Sequence, residues 1–150
     1  MSETGSCIFC EIMDGTVPSS PVYRDSRCVA FMDIRPINDG HLLVVPINHT
    51  ASLSGLGEED GAHLFRIGRQ LAQALRQSGL PCDGVNFHLS DGEAAGQEVF
   101  HVHLHVIPRF FGDGFGLRFG PRFGRNPART ELNATAEKIK KHLIDRTRIS

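Results

Sequence analysis

The sequence lacks three things that would assign it to common classes. No run of apolar residues approaches the length of a transmembrane helix. The first six residues, Met1-Ser-Glu-Thr-Gly-Ser6, carry neither the basic nor the apolar region of a signal peptide. There is no surplus of basic charge: 16 Lys and Arg stand against 17 Asp and Glu, for a formal net charge of −1 at pH 7. That balance argues against binding of nucleic-acid polymers, which draws on a basic surface excess. It leaves room for a small anion met by a local site. The expectation is a cytoplasmic protein that does not enter a membrane. Four cysteines could form two disulfides, but cytosolic thiols stay reduced and none is expected. No repeat or interdomain linker interrupts the 150 residues, enough for one domain with a real core.

What is present centres on His101-Val102-His103-Leu104-His105-Val106-Ile107-Pro108-Arg109. Apolar and imidazole side chains alternate, which is the period of a β-strand. Val102, Leu104 and Val106 would face a core, and His101, His103 and His105 would share the opposite face. A slip of one residue would turn the imidazoles inward, so burial of the apolar set fixes the register. Histidine is not a favoured strand filler. Such a face can bind a metal, or one imidazole can serve as nucleophile or acid–base group oriented by the others.

The remaining elements follow from period and punctuation. Cys7 to Met13 reads as a short amphipathic turn or helix closed by Asp14-Gly15. Val22–Asp25 and Cys28–Ile34 read as two strands, with turn residues at Pro36–Gly40. His41–Val45 reads as a third strand, stopped by Pro46, and its unbroken apolar run predicts burial on both faces. Leu64, Ile67, Gly68, Leu71, Ala72 and Leu75 form a helical stripe that ends near Gly79 and Pro81. Val85–Leu89 is a fourth strand, and Ser90–Glu98 is a glycine-bearing loop leading into the histidine strand. A second helix, over Leu132–Ile144, would turn Ala136, Ile139, Leu143 and Ile144 inward. Strands with one long helix between them and one at the end predict an α+β protein on an antiparallel sheet.

The histidine strand, the preceding Ala95-Gly96-Gln97, and Gly40-His41-Leu42-Leu43-Val44-Val45-Pro46 together resemble the histidine triad (HIT) family of nucleotide hydrolases and transferases. The resemblance runs from Cys7 to Arg109, and Asp113-Gly-Phe-Gly116 is similar to its bacterial Hit branch. It implies the HIT fold: about five antiparallel strands, one long helix and a C-terminal helix. A single domain over 1–150 would have its core at 7–109, a flexible Gly/Phe/Arg loop at 110–130 and the last helix at 131–146.

The resemblance also implies roles. His103 would be the nucleophile toward the α-phosphorus of a nucleoside phosphoramidate or dinucleoside polyphosphate, giving a covalent nucleotidyl-histidine. His105 would stabilise charge on the phosphate oxygens, and His41 would orient the triad. Asp33 would accept hydrogen bonds from the ribose hydroxyls. Ile8, Phe9, Ile12 and Ile34 would form the apolar surroundings of the base, expected to be a purine. Gly96 lets the backbone approach a phosphate, and the Gln97 amide can donate to one. Glu98 stands where many relatives have Ser or Thr, and Ser90 where some have Asn. A carboxylate beside a phosphate would repel it, so no phosphate contact is assigned to Glu98.

Cys7-x-x-Cys10 offers half of a tetrahedral zinc site, or a redox dithiol. No thioredoxin-like βαβ unit follows it. The resemblance implies that such a pair holds a structural zinc together with two histidines, here His49 and His101. His63 and His142 fall on predicted helices and are expected to be solvated, and His88 receives no role. The Phe/Arg/Gly loop could stack on a base or pack on a partner in a homodimer. The function expected is a nucleotide hydrolase with small-molecule nucleotide substrates. A nucleotidyltransferase, or a nucleotide-binding regulator with incidental hydrolysis, are the alternatives.

Overall fold

Strand β3 (Leu42–Pro46) is buried at all five positions, as its apolar run predicts. The structure, a computed structural model, describes residues 5–143. Around β3 lie β1 (Pro21–Arg24), β2 (Cys28–Met32), β4 (Gly84–His88) and β5 (Leu104–Arg109). Together they form one sheet in the order β1-β2-β3-β5-β4, every pair antiparallel. Helices α1 (Ile8–Asp14) and α2 (Glu58–Gln77) flank it in sequence. This is the expected α+β sheet.

The sheet buries two different faces. On one, Leu64, Ile67, Leu71 and Leu75 of α2 share a core with Cys28, Ala30, Leu42, Val44, Val102, Leu104 and Val106. Full burial of each large apolar side chain is worth about 1.5–3 kcal/mol, so packing rather than propensity holds this helix. Gly68 permits the close approach: a Cβ there would stand 3.2 Å from Leu104 and 3.3 Å from Phe87. On the other face Phe9 of α1 joins Val29, Phe31, Leu43 and Val45. α1 stops at Gly15, whose φ of 86° is the left-handed conformation that closes helices.

Several boundaries differ from the sequence reading. The ladder of β5 begins at Leu104, because Val102 N–H donates to Thr50 O at 2.8 Å instead of to a strand neighbour. His101 to His103 thus form an arm leading into the strand, and both His101 and His103 are buried. Pro46 ends β3 from inside it, and its carbonyl accepts from the His101 ring. His63 is not a solvated helix residue. Its ring lies 2.6 Å from Asp25, which also accepts from Tyr23 Oη and from the backbone of Arg27 and Cys28. Burial alone would raise the Asp25 carboxyl. Those hydrogen bonds outweigh it and hold the group well below the usual carboxylate range. Burial pushes the Cys28 thiol up to about 12, which makes it an inert core residue.

Residues from Gly116 onward make a second compact unit. Its helix α3 (Arg129–Lys140) starts earlier than expected, where the Glu131 carboxylate accepts from the Ala128 N–H at 3.2 Å. The helix buries no residue, so the expected inner face of Ala136, Ile139 and Leu143 is exposed, and Ile144 lies outside the described residues. His142 is exposed, as expected. Within the same unit Phe119 and Phe123 stack at 3.8 Å. Among the described residues no helix is long and apolar enough to cross a membrane.

Candidate active site and metal centre

The imidazoles gather on the sheet face opposite α2. β5 supplies His105, the arm before it supplies His101 and His103, and the turn into β3 supplies His41. Each ring is set by its neighbours. His103 Nδ1 lies 2.8 Å from the carbonyl oxygen of His101. A carbonyl only accepts, so Nδ1 carries the proton and Nε2 keeps its lone pair. The ring packs edge-on against Phe9 at 5.0 Å and against His105 at 5.0 Å.

His41 is fixed by the same logic. Its Nδ1 accepts from the Ile37 N–H at 3.0 Å, so Nε2 bears the proton and donates to His105 Nδ1 at 2.8 Å. His105 in turn keeps its proton on Nε2. His105 is held down at about 4, chiefly by burial, with the nearby His103 and His41 acting in the same direction and Asp33 opposing them. Burial likewise lowers His41, with Asp33 again opposing. Both rings are therefore neutral near pH 7, as their hydrogen bonds require. Asp33 Oδ2 lies 3.5 Å from His41 Nε2 and 4.0 Å from His105 Nδ1, and its Oδ1 accepts from the Arg35 N–H. The structure thus brings His41, His103, His105 and Asp33 together.

The loop before the arm is built on two glycines. Gly92 and Gly96 have φ of 98° and 88°, on either side of a short turn at Glu93–Ala95. Gln97 is buried, and its amide is fully used inside the protein. Its Oε1 accepts from Gly92 N–H, and its Nε2 donates to Ala51 O and Val99 O. The side chain shapes the loop and has no amide proton left for a ligand. Glu98 points into solvent toward Arg35, 3.9 Å away. Of the apolar candidates, Phe9 is core, Ile12 is half-buried, and Ile8 and Ile34 are exposed.

Cys7, Cys10, His49 and His101 form a second group, their ligand atoms all within 4.8 Å of one another. His101 Nδ1 is 3.4 Å from Cys7 Sγ, 3.7 Å from Cys10 Sγ and 3.1 Å from His49 Nδ1. Cys10 Sγ is 3.6 Å from His49 Nδ1. Ordinary Zn–S and Zn–N bonds give a tetrahedron with edges of about 3.3–3.8 Å, so the set can hold such an ion with little rearrangement. His101 Nε2 donates to Pro46 O at 2.8 Å, which directs the lone pair of Nδ1 into the group. Burial keeps His101 below its ordinary value, with the Pro46 carbonyl opposing, so the ring is neutral and fit to ligate.

Three residues stand out here that the sequence reading left without roles. Asn38 donates to Pro108 O at 2.9 Å and to Asp113 Oδ2 at 2.8 Å, tying the turn before His41 to the end of β5. Asp113 also binds Arg109, so the first residues of the Gly/Phe/Arg loop are anchored. His88 pairs with His105 across the β4–β5 ladder. Its alternation with Asn86 on one strand face was the available signal.

A family model described as HIT domain matches residues 14–112. A solved structure of a HIT family protein from Bacillus anthracis is 35% identical, with a TM-score of 0.83 over 93% of this chain and 99% of that one. A Zn-bound histidine triad family protein from Mycobacterium smegmatis is 40% identical, with a TM-score of 0.72 over 91% and 96% of the two chains. A histidine triad nucleotide-binding protein from Candida albicans is 28% identical, with a TM-score of 0.79 over 91% and 96%.

Proposed function

This chain belongs to the HIT domain family, and from that premise we propose that it hydrolyses small nucleotides at the α-phosphorus through a nucleotidyl-His103 intermediate. Membership supports a place among nucleotide-binding hydrolases and transferases. The single observation that carries the finer reading is the His103 Nδ1 bond to the His101 carbonyl, because it leaves Nε2 as a lone pair on a positioned ring.

In the first step Nε2 attacks phosphorus. A P–N bond forms, the bond to the leaving group breaks, and its electron pair goes to the departing oxygen, which leaves as an anion, or to the departing nitrogen, which takes a proton from solvent. The imidazole becomes cationic, and the carbonyl of His101 faces its Nδ1–H. Water then attacks phosphorus and releases a proton to solvent, the P–N bond breaks, and its electron pair returns to Nε2. One difficult displacement becomes two easier ones. His105 presents its Nε2–H toward the phosphate oxygens, with its tautomer set by His41. Asp33 offers acceptors to ribose hydroxyls, Ile8, Ile12 and Ile34 offer apolar surface to a purine base, and Phe9 backs the nucleophile's ring. The Gly92–Gly96 loop, held by Gln97, offers backbone N–H groups to phosphate.

The Cys7, Cys10, His49 and His101 set would hold a structural zinc. With four protein ligands the ion would have no open position for substrate. Its contribution would be to fix the arm that carries His103. Support comes from the ligand spacing and from the Zn-bound relative. A cytoplasmic homodimer is part of the same reading.

His103→Ala tests it. Turnover of a nucleoside phosphoramidate or a dinucleoside polyphosphate should fall by roughly a thousandfold or more while nucleotide binding persists. Hydrolysis retained in that variant would sink the mechanism.

A further inference from the structure

The strand order places His105 between two other imidazoles. His41 stands on the β3 side, and His88, the last residue of β4, stands on the other. His88 and His105 are directly paired across the ladder, so their side chains share a face. Their ring centroids are 5.7 Å apart. His88 Nε2 also lies 3.1 Å from Ser90 Oγ. Unlike His41 and His103, which are buried, His88 is exposed. It fills no core position, and its ring and the Ser90 hydroxyl both have hydrogen-bonding capacity beyond the bond they share.

Direction across the sheet gives this pair a use. The inference rests on the reading of His103 as nucleophile. On that reading the nucleoside end lies toward Asp33, just after β2, and the α-phosphorus lies over β5. The strands run β2, β3, β5, β4 across the sheet. A substrate that begins at Asp33 and has its reacting phosphorus over β5 continues over β4. The first side chains it meets there are His88 and Ser90.

We propose that His88, with the Ser90 hydroxyl, binds the leaving portion of the substrate and selects leaving groups that carry phosphate oxygens over neutral amines. Imidazole N–H and hydroxyl groups donate to phosphate oxygens, and bonds to a charged acceptor are the stronger class. A neutral amine offers no comparable array of acceptors. When the bond from the α-phosphorus to a leaving phosphate breaks, the electron pair moves onto the departing oxygen, where these donors lie. The nearby carboxylates are already engaged. Asp91 accepts from the Leu53 N–H, and Asp33 lies on the far side of His105.

The test compares two substrates that share an adenylyl group, a diadenosine polyphosphate and an adenosine 5′-phosphoramidate. In His88→Ala the ratio of their kcat/KM values should shift against the polyphosphate by about tenfold or more. His88→Asn, which keeps a donor, should fall between His88→Ala and the wild type. Calorimetry gives a readout independent of turnover: the preference for ATP over AMP should shrink in His88→Ala. An unchanged substrate ratio, or an unchanged ATP-to-AMP preference, overturns the proposal. Failure of the underlying reading is seen separately, as hydrolysis surviving in His103→Ala. In that case the ATP-to-AMP preference still decides whether His88 contacts the distal phosphates.

Discussion

The carbonyl oxygen of His101 accepts the Nδ1 proton of His103 at 2.8 Å, while the His101 ring joins Cys7, Cys10 and His49. One residue therefore gives its backbone to the candidate nucleophile and its side chain to the candidate metal centre. The two sites are mechanically linked through a single peptide unit.

Metal loss should act on the chemical step through that link. Cys7→Ala or chelation should remove stoichiometric zinc and lower kcat by about 10–100-fold, with a smaller change in KM. Elemental analysis and steady-state kinetics on the same preparations check this. Full activity in metal-free protein would separate the two sites.

Stability should fall on mild acidification. His105 titrates at about 4 in the fold, against about 6.5 for an unperturbed histidine. Between those values the unfolded chain binds a proton there that the folded chain does not. The slope of unfolding free energy with pH is then positive, so stability declines as pH drops through this window. His41 is lowered too and adds in the same sense. Asp25 and Asp113, whose carboxyls are held low, lose their contribution only in more acidic solution. Urea midpoints at pH 7.5 and pH 5 measure the first window, and His105→Asn should flatten it. A midpoint that rises on acidification would contradict the assignment.

Gly40→Ala should destabilise the fold and disturb His41. The residue has φ of 98°, and a Cβ there would stand 2.9 Å from Leu75 and 3.0 Å from Leu80. Strain and crowding together should cost about 1–3 kcal/mol. Gly79 provides the control, because it has φ of 85° but nothing within 4 Å of a built Cβ. Gly79→Ala should cost less in the same denaturation series. Equal losses would mean that packing at Gly40 is unimportant.

The long helix and the central strand were legible because their apolar periods are unambiguous. The stripe from Leu64 to Leu75 and the run from Leu42 to Val45 both lie where the pattern puts them. The convergence of His41, His103, His105 and Asp33 was legible from the family resemblance, not from periodicity. The start of β5 was not, because the Val102 bond to Thr50 joins residues far apart in the chain. His63 read as solvated since its partner Asp25 lies 38 positions away. Gln97 read as a donor to phosphate, but its amide faces Ala51 and Val99. His88 was unassigned until strand pairing placed it beside His105. In each case composition and period specify the element, while the partner depends on register and topology.

The central claim is that His103 is the nucleophile, and a trapped intermediate tests it most directly. Protein mixed briefly with a nucleoside phosphoramidate or a dinucleoside polyphosphate, then quenched, can be weighed intact and mapped by peptide fragmentation. The account predicts one nucleotidyl group, attached at His103, absent from His103→Ala. A nucleotidyl group on another residue, or turnover by His103→Ala with no adduct, would contradict it.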